Sequence, residues 1–238
     1  MPKITELIED SAIASATAML TVDRGNTGRR LSWASEQEWA AARLAQEWFE
    51  ASDFSSHPAR AEFERALELV EVYEEKMICF RGRPHASNSP FILPTDFGPP
   101  PTNVATLGRY NAAGVPVLYL ATSVDGVRLE VTNSAADLAG ASVQSFEIDG
   151  TKLRIANFVA STLSPIIAES FDISERTGLG VGYEKTSLLA ELVGSRFGGM
   201  IVPGVRGSRE VRYSNIIIFQ PGERWRDWLT LSQPERIF

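Results

Sequence analysis

The sequence contains little cysteine and little histidine, which limits the disulfides, metal sites and catalytic groups that the protein can form. Its 238 residues include one cysteine, Cys79, and two histidines, His57 and His85. A lone cysteine cannot form an internal disulfide, and the apolar run Met77–Phe80 predicts a buried thiol. A zinc site of His and Cys lacks ligands, so we expect no metal, and neither histidine lies near a nucleophile-elbow pattern. Catalysis would depend mainly on Arg, Asp, Glu, Tyr, Ser and Asn.

Long apolar runs and a basic leader are also missing. No uninterrupted apolar run approaches the roughly 18 residues that span a bilayer. The apolar stretch at residues 12–20 follows Glu6, Glu9 and Asp10, where a secretory signal would carry basic residues. We therefore expect a soluble, cytoplasmic protein without membrane contact.

The net charge of −7 is unevenly distributed. Residues 1–76 carry 8 Lys and Arg against 15 Asp and Glu, whereas residues 77–238 carry 15 of each sign. Of the basic residues in the second part, 13 are Arg, whose planar fork suits carboxylate and phosphate. This favours an anionic small ligand. The acidic balance predicts no direct binding of nucleic acid.

The change in pattern near residue 77 predicts two parts. We assign residues 1–76 to an acidic helical extension, with one helix starting near Glu36 and a second from about Pro58 to Lys76. This extension either packs on the main domain or serves as a partner-binding or dimerising module. We assign residues 77–238 to a catalytic domain.

From Met77 onwards, short apolar runs alternate with glycine and proline. They mix with helical segments without the regular alternation of a doubly wound sheet, so we predict an α+β fold with a mixed central sheet. The predicted strands are Met77–Arg81, Val115–Ala121, Val143–Ile148, Lys152–Ile155, Gly199–Val202 and Asn215–Phe219, and the predicted helices are Val124–Val131, Ser161–Ala168 and Tyr183–Phe197.

Four short stretches carry the candidate functional residues. In chain order they are Phe80-Arg81-Gly82-Arg83-Pro84; the loop Gly108-Arg109-Tyr110-Asn111-Ala112-Ala113-Gly114, which leads into the strand holding Tyr119; Glu130; and Gly204-Val205-Arg206-Gly207-Ser208-Arg209, followed by Asn215.

This order of motifs resembles the RES domain family, named for its Arg, Glu and Ser, over about residues 77–222. The most specific part is the Gly-Arg-aromatic-Asn-x-x-Gly loop, which leads into a Leu-Tyr-Leu-Ala strand with a glutamate shortly after. The resemblance implies a fold similar to ADP-ribosyltransferase toxins and an activity that degrades NAD+. It also implies a toxin of a toxin–antitoxin system, neutralised by an Xre-type antitoxin. NAD+ is then the substrate, without a further cofactor, and water or inorganic phosphate is the acceptor. Homo-oligomerisation stays open.

The resemblance also assigns roles to residues. It implies catalytic roles for Arg81, Glu130 and Ser208, and substrate-binding roles for Arg83, Arg109, Tyr110, Asn111, Tyr119 and Asn215. Arg83 competes with Arg81 for the role of the first arginine. Position 110 is Tyr where the family usually has Trp. Ser208 follows Arg206-Gly207 rather than an aromatic or proline-containing lead.

The chemistry of NAD+ cleavage suits these residue types. Breaking the bond between nicotinamide and ribose builds an oxocarbenium-like transition state, as in glycoside hydrolysis. Two arginines can hold the pyrophosphate, and a carboxylate such as Glu130 can stabilise the ribosyl cation or orient the acceptor. Tyr119 or Tyr110 can stack on nicotinamide, and Ser208 can fix a phosphate. The alternatives are an ADP-ribosyltransferase that modifies a macromolecule and an inactive NAD- or nucleotide-binding module.

Overall fold

The computed structural model describes residues 36–84, 93–132, 140–159, 163–177, 183–204, 212–230 and 233–237. These residues form six α-helices and eight β-strands. The helices are α1 (Glu36–Glu50), α2 (Pro58–Leu67), α3 (Val124–Thr132), α4 (Gly150–Leu153), α5 (Pro165–Thr177) and α6 (Glu184–Gly194). The strands are β1 (Val72–Tyr73), β2 (Lys76–Pro84), β3 (Val117–Ala121), β4 (Ala141–Asp149), β5 (Ile155–Asn157), β6 (Gly199–Pro203), β7 (Ser214–Phe219) and β8 (Glu235–Arg236).

The chain divides into two compact units. The helical unit comprises the described residues up to 70 together with those from 163 to 186, and the sheet unit comprises the rest. The helical unit therefore holds α1, α2, α5 and the start of α6. The predicted division into domains at residue 77 stays a prediction.

An aromatic cluster forms the core of the helical unit. The Trp48 ring is fully buried and stacks on Phe54 with the ring centroids 4.2 Å apart. Its indole Nε1 donates a hydrogen bond to the Phe54 carbonyl oxygen at 2.8 Å, which satisfies the only polar group of the ring. Phe63 lies against Trp48 and against Phe171 of α5. These contacts join α1 and α5 through α2 into one packed layer.

All eight strands belong to one sheet, whose order is β1-β5-β6-β7-β3-β2-β4-β8. Neighbouring strands are antiparallel except β5 and β6, which are parallel and are connected through α5 and α6. A parallel pair needs such a crossover connection. The prediction of an α+β fold with a mixed central sheet is confirmed.

The sheet consists of two halves that are joined at one residue pair. One half is β1-β5-β6-β7-β3, and the other, the β4 half, is β2-β4-β8. Strand β2 pairs with β4 along all 9 of its residues, but it pairs with β3 only at Phe80 and Ala121. Strand β3 pairs with β7 along its whole length. Beyond Phe80, therefore, β2 leaves β3. The residues from Arg81 to Pro84 follow the β4 half alone.

Both faces of the sheet carry apolar clusters. On one face lie Cys79, Leu118, Leu120, Phe146, Ile148, Ile155, Ile201, Ile216, Ile218, Phe97 and Trp225. On the other face, α3 packs through Val127 and Val131 against Ala121, Val143 and Tyr213. Cys79 is fully buried, as predicted, and this burial raises the pKa of its thiol to about 12. The thiol therefore stays protonated and unreactive.

Three predicted elements differ from the structure. The helix predicted over Ser161–Ala168 is α5, which begins at Pro165 and continues to Thr177. The helix predicted to run to Lys76 ends at Leu67, and the short strand β1 follows. The strand predicted over Lys152–Ile155 begins as the helical turn α4. This turn forms because the Asp149 carboxylate accepts a hydrogen bond from the backbone N–H of Thr151, an N-cap that competes with strand pairing. Strand β5 then starts only at Ile155.

Among the described residues, no helix is both long and apolar enough to cross a bilayer. Nor do three His, Cys, Asp or Glu side chains group there in a way that could hold a metal ion.

The packing of α3 on β2 depends on the missing side chain of Gly82. A Cβ at this position would collide with Val127 Cγ1 and lie 2.6 Å from Val131 Cγ2. Both valines are buried and have stiff side chains. We expect Gly82→Ala to lower the free energy of unfolding by about 1–3 kcal/mol, measured by urea denaturation.

The matched control is the double variant Gly82→Ala/Val127→Ala, which removes the methyl groups of one of the two colliding valines. If overpacking is the cause, the double variant loses less stability than the sum of the two single variants. Additive losses would contradict this account of the contact.

Candidate active site

Arg81 lies where β2 leaves β3, and its guanidinium has no carboxylate partner among the described residues. Its Nη1 atom is buried, and among the described residues none accepts a hydrogen bond from it. Alternation along the strand places Arg81 on the same face as Cys79, at the border of the apolar cluster. A buried guanidinium nitrogen without an acceptor is costly, and an anion bound beside it would offset the cost.

Arg83 lies two residues further along the same face of β2. Its Nε donates a hydrogen bond to the Asp96 carbonyl oxygen at 3.0 Å, and its Nη2 donates to the Gly98 carbonyl oxygen at 2.9 Å. Arg83 therefore ties the segment at residues 93–98 to the β4 half of the sheet. Because two of its donors are used in this way, Arg81 is the stronger candidate of the two for binding a substrate anion.

The pKa shifts of the two arginines agree with the choice of Arg81 as the stronger candidate. Burial, and to a smaller extent the charge of Arg83, lower the pKa of Arg81 to about 9, while the nearby Tyr119 opposes the shift. Burial also lowers the pKa of Arg83, and the Asp96 carboxylate opposes that shift. Arg81 thus stays charged at neutral pH, and no carboxylate among the described residues opposes the shift of its pKa.

Tyr119 fixes the glycine-bounded loop through its hydroxyl group. The hydroxyl accepts a hydrogen bond from the backbone N–H of Tyr110 at 3.0 Å and donates one to Asn111 Oδ1 at 2.9 Å. The Asn111 amide in turn donates to the carbonyl oxygens of Thr106 and Ala112. These bonds hold a two-residue turn at the tip of the loop, with Arg109 half-buried and Tyr110 buried.

Glu130 on α3 is held by two donors from the segment that enters β7. Its Oε1 atom accepts a hydrogen bond from the Tyr213 hydroxyl at 2.6 Å and one from Asn215 Nδ2 at 3.0 Å. Asn215 pairs with Ala121, which pairs with Phe80. This row across three strands leads from the carboxylate, on the α3 face of the sheet, to the start of the gap between β2 and β3, where Arg81 lies on the opposite face. From the spacing of strands, this row is about 10 Å long between its outer Cα atoms.

Tyr213 was not among the residues predicted from the sequence. Its ring lies between Gly126 of α3 and Gly204 after β6, and a Cβ on either glycine would meet the ring. The period of two along a strand provides a signal that could have found it. Tyr213 and Asn215 alternate with an intervening residue and therefore share one face, and Asn215 was already a candidate.

The structure brings some of the predicted residues together. Glu130 contacts Asn215, and Tyr119 contacts Tyr110 and Asn111. Tyr119 also lies within electrostatic range of Arg81. Ser208 lies outside the described residues. The catalytic and substrate-binding roles implied for all these residues stay predictions.

Comparisons with known proteins found similarity among solved structures. No protein-family model matches the chain, and no curated protein matches it. Among solved structures, a chain of the crystal structure of the M. tuberculosis MbcT-MbcA toxin-antitoxin complex is similar over 74% of this chain and 89% of that chain. The identity is 13% and the TM-score is 0.47. A similarity at this level does not assign a function.

The two hydrogen bonds of the Tyr119 hydroxyl predict that this side chain stabilises the folded protein. Tyr119→Phe removes both bonds and leaves Asn111 Oδ1, which belongs to a buried residue, without this donor. We expect a loss of about 1–3 kcal/mol in the free energy of unfolding, measured by chemical denaturation. Tyr183→Phe, in the helical unit, serves as the control. Equal stability of Tyr119→Phe and the wild type would contradict this role.

Removal of the buried charge of Arg81 should instead stabilise the folded protein. Arg81→Met keeps an apolar stem and removes the charge, so we expect stability to rise by about 1–3 kcal/mol, or roughly 2–10 °C in Tm. A base whose pKa is lowered by folding destabilises the folded state while it is charged. The gain should therefore hold at pH 6–8 and narrow as pH rises through about 9.

The control for this experiment is Arg43→Met, because Arg43 is an exposed residue of α1. Arg43→Met should leave Tm within about 2 °C of the wild type, as surface substitutions usually do. A marked destabilisation by Arg81→Met would mean that Arg81 is compensated by a group in the folded protein.

Proposed function

We propose that this protein cleaves the bond between nicotinamide and ribose in NAD+. The observation that carries the proposal is the buried Nη1 atom of Arg81 at the gap between β2 and β3, for which no described residue provides an acceptor. An anionic ligand would compensate this charge, and the pyrophosphate of NAD+ is such an anion. The motif order that resembles the RES domain family supports the same substrate.

Glu130 is the residue that we assign to the reacting ribose. Its carboxylate is half-buried and is oriented by the Tyr213 hydroxyl and the Asn215 amide. Both donors bind Oε1 and so fix the direction of the carboxylate, which we assign to a ribose hydroxyl or the acceptor. A carboxylate fixed before the substrate arrives stabilises the developing ribosyl cation without having to reorganise.

The reaction balances without a metal or a redox partner. The bond between ribose C1′ and the nicotinamide nitrogen breaks, and its electron pair stays on the nitrogen, which neutralises the positive ring. The acceptor oxygen forms the new bond to C1′. With water as the acceptor, one proton is released and the products are ADP-ribose and nicotinamide. With phosphate, the product is ADP-ribose phosphate.

The biological role that we propose is that of a toxin. It rests on the resemblance to the RES family, as does the Xre-type antitoxin that we propose as its partner. Depletion of NAD+ would arrest growth, which is the effect that such an antitoxin would prevent.

The test is to incubate the purified protein with NAD+, with and without inorganic phosphate. Free nicotinamide and the mass of the second product are measured. Glu130→Gln should lower the rate at least about 100-fold, since it keeps the shape of the side chain and removes the charge. Glu147→Gln is the matched control, because Glu147 is an exposed β4 residue paired with Lys76, and it should keep the wild-type rate.

The products separate the possible outcomes. ADP-ribose indicates a glycohydrolase, and phosphate-dependent ADP-ribose phosphate indicates a phosphorylase. Absence of nicotinamide in both conditions would overturn the proposal and leave the transferase or the inactive binding module. A rate that Glu130→Gln leaves unchanged would show that Glu130 is not catalytic.

A further inference from the structure

A second concave site lies in the sheet unit, at the opposite end of β7 from Asn215. Its cavity has a volume of about 290 Å³ and is lined by residues of α4, of the turn after α6 and of the segment after β7. Phe219 at the end of β7 lines it, four residues beyond Asn215, which is about 13 Å along a strand. The cavity is therefore separate from the site around Glu130.

Among the described residues, the charged residues that line this cavity are cations. They are Lys152 and Arg224, and no described carboxylate belongs to the lining. Arg224 is exposed, and the Lys152 side chain is 73% exposed, with its Nζ 3.4 Å from Asp149 Oδ2. Two exposed cationic side chains at one cavity favour an anionic ligand.

Aromatic side chains provide the apolar part of the lining. Phe219 and Trp228 are half-buried, and Phe197 is buried. The guanidinium of Arg154 lies over the Phe197 ring, 5.7 Å from its centroid. Aromatic faces beside cationic groups suit a ligand that combines a planar ring with a negative charge.

The backbone around the cavity is fixed and partly strained. Gly198 donates its N–H to the Leu153 carbonyl oxygen at 2.9 Å, and a Cβ at Gly198 would collide with that oxygen. Arg154 and Gln220 adopt φ angles of 49° and 44°, and they are the two non-glycine residues with positive φ in the described part of the chain. Gln220 lines the cavity and Arg154 follows a lining residue. Strained residues of this kind cluster at ligand sites.

We propose that this cavity binds a nucleoside monophosphate. The phosphate contacts Arg224 and Lys152, and the base packs against the aromatic side chains. The volume lies at the lower end of the range for ligand pockets, about 300–1,000 Å³, and so fits a mononucleotide better than a dinucleotide. The proposal is independent of NAD+ cleavage, because it uses none of the residues assigned to that reaction.

The experiment is a titration of the full chain with AMP, followed by tryptophan fluorescence and calorimetry. We expect AMP to quench Trp228, and Trp228→Phe to remove this quench while calorimetry still detects binding. Arg224→Gln should weaken AMP binding about tenfold or more, because a charge-assisted bond is lost. Arg226→Gln is the matched control: Arg226 is exposed, two residues away and outside the lining, so its variant should bind AMP with wild-type affinity.

Three results would overturn the proposal. The first is equal affinity for AMP in Arg224→Gln and the wild type. The second is equal affinity of the wild type for AMP and for adenosine or inorganic phosphate alone, which would mean that one half of the ligand suffices. The third is loss of binding in Arg81→Met but not in Arg224→Gln, which would place AMP at the NAD+ site.

Discussion

The separation of β2 from β3 is the constraint on which the candidate active site depends. Strands that continue to pair would fill the space between them with their own hydrogen bonds and side chains. Here the pairing stops at Phe80 and Ala121, and β2 continues with β4 alone. The first residue beyond that pair is Arg81, whose buried charge then lacks an acceptor from β3. The candidate site for an anion therefore depends on the geometry of the sheet rather than on a special loop.

The second requirement is a carboxylate that is held in place, and small residues make this possible. Helix α3 approaches β2 closely because Gly82 leaves room for its valines. The Tyr213 ring fits beside the same helix because Gly126 has no side chain. The Tyr213 hydroxyl therefore reaches Glu130 at hydrogen-bond distance. Glycine at these positions serves the close approach of the elements and not the formation of turns.

Much of the candidate site could be predicted from the sequence, but the function of single residues within it could not. The motif order selected Glu130 and Asn215, which the structure joins by a hydrogen bond. It also selected Tyr119 or Tyr110 for stacking on nicotinamide, and the structure adds that the Tyr119 hydroxyl holds the loop. A tyrosine in an apolar strand satisfies its hydroxyl with any partner that the fold brings near. Which partner that is depends on residues far away in the chain.

The sequence by itself determined the mixed α+β class, the burial of Cys79 and the set of residue types available for catalysis. These properties follow from local patterns of apolar, charged and turn-forming residues. Only the tertiary structure decided where β2 and β3 part, and that Arg83 binds two backbone carbonyl oxygens while Nη1 of Arg81 stays uncompensated. The physical reason is that both arginines have the same intrinsic chemistry. Their difference arises from the acceptors that the folded chain places within reach of each.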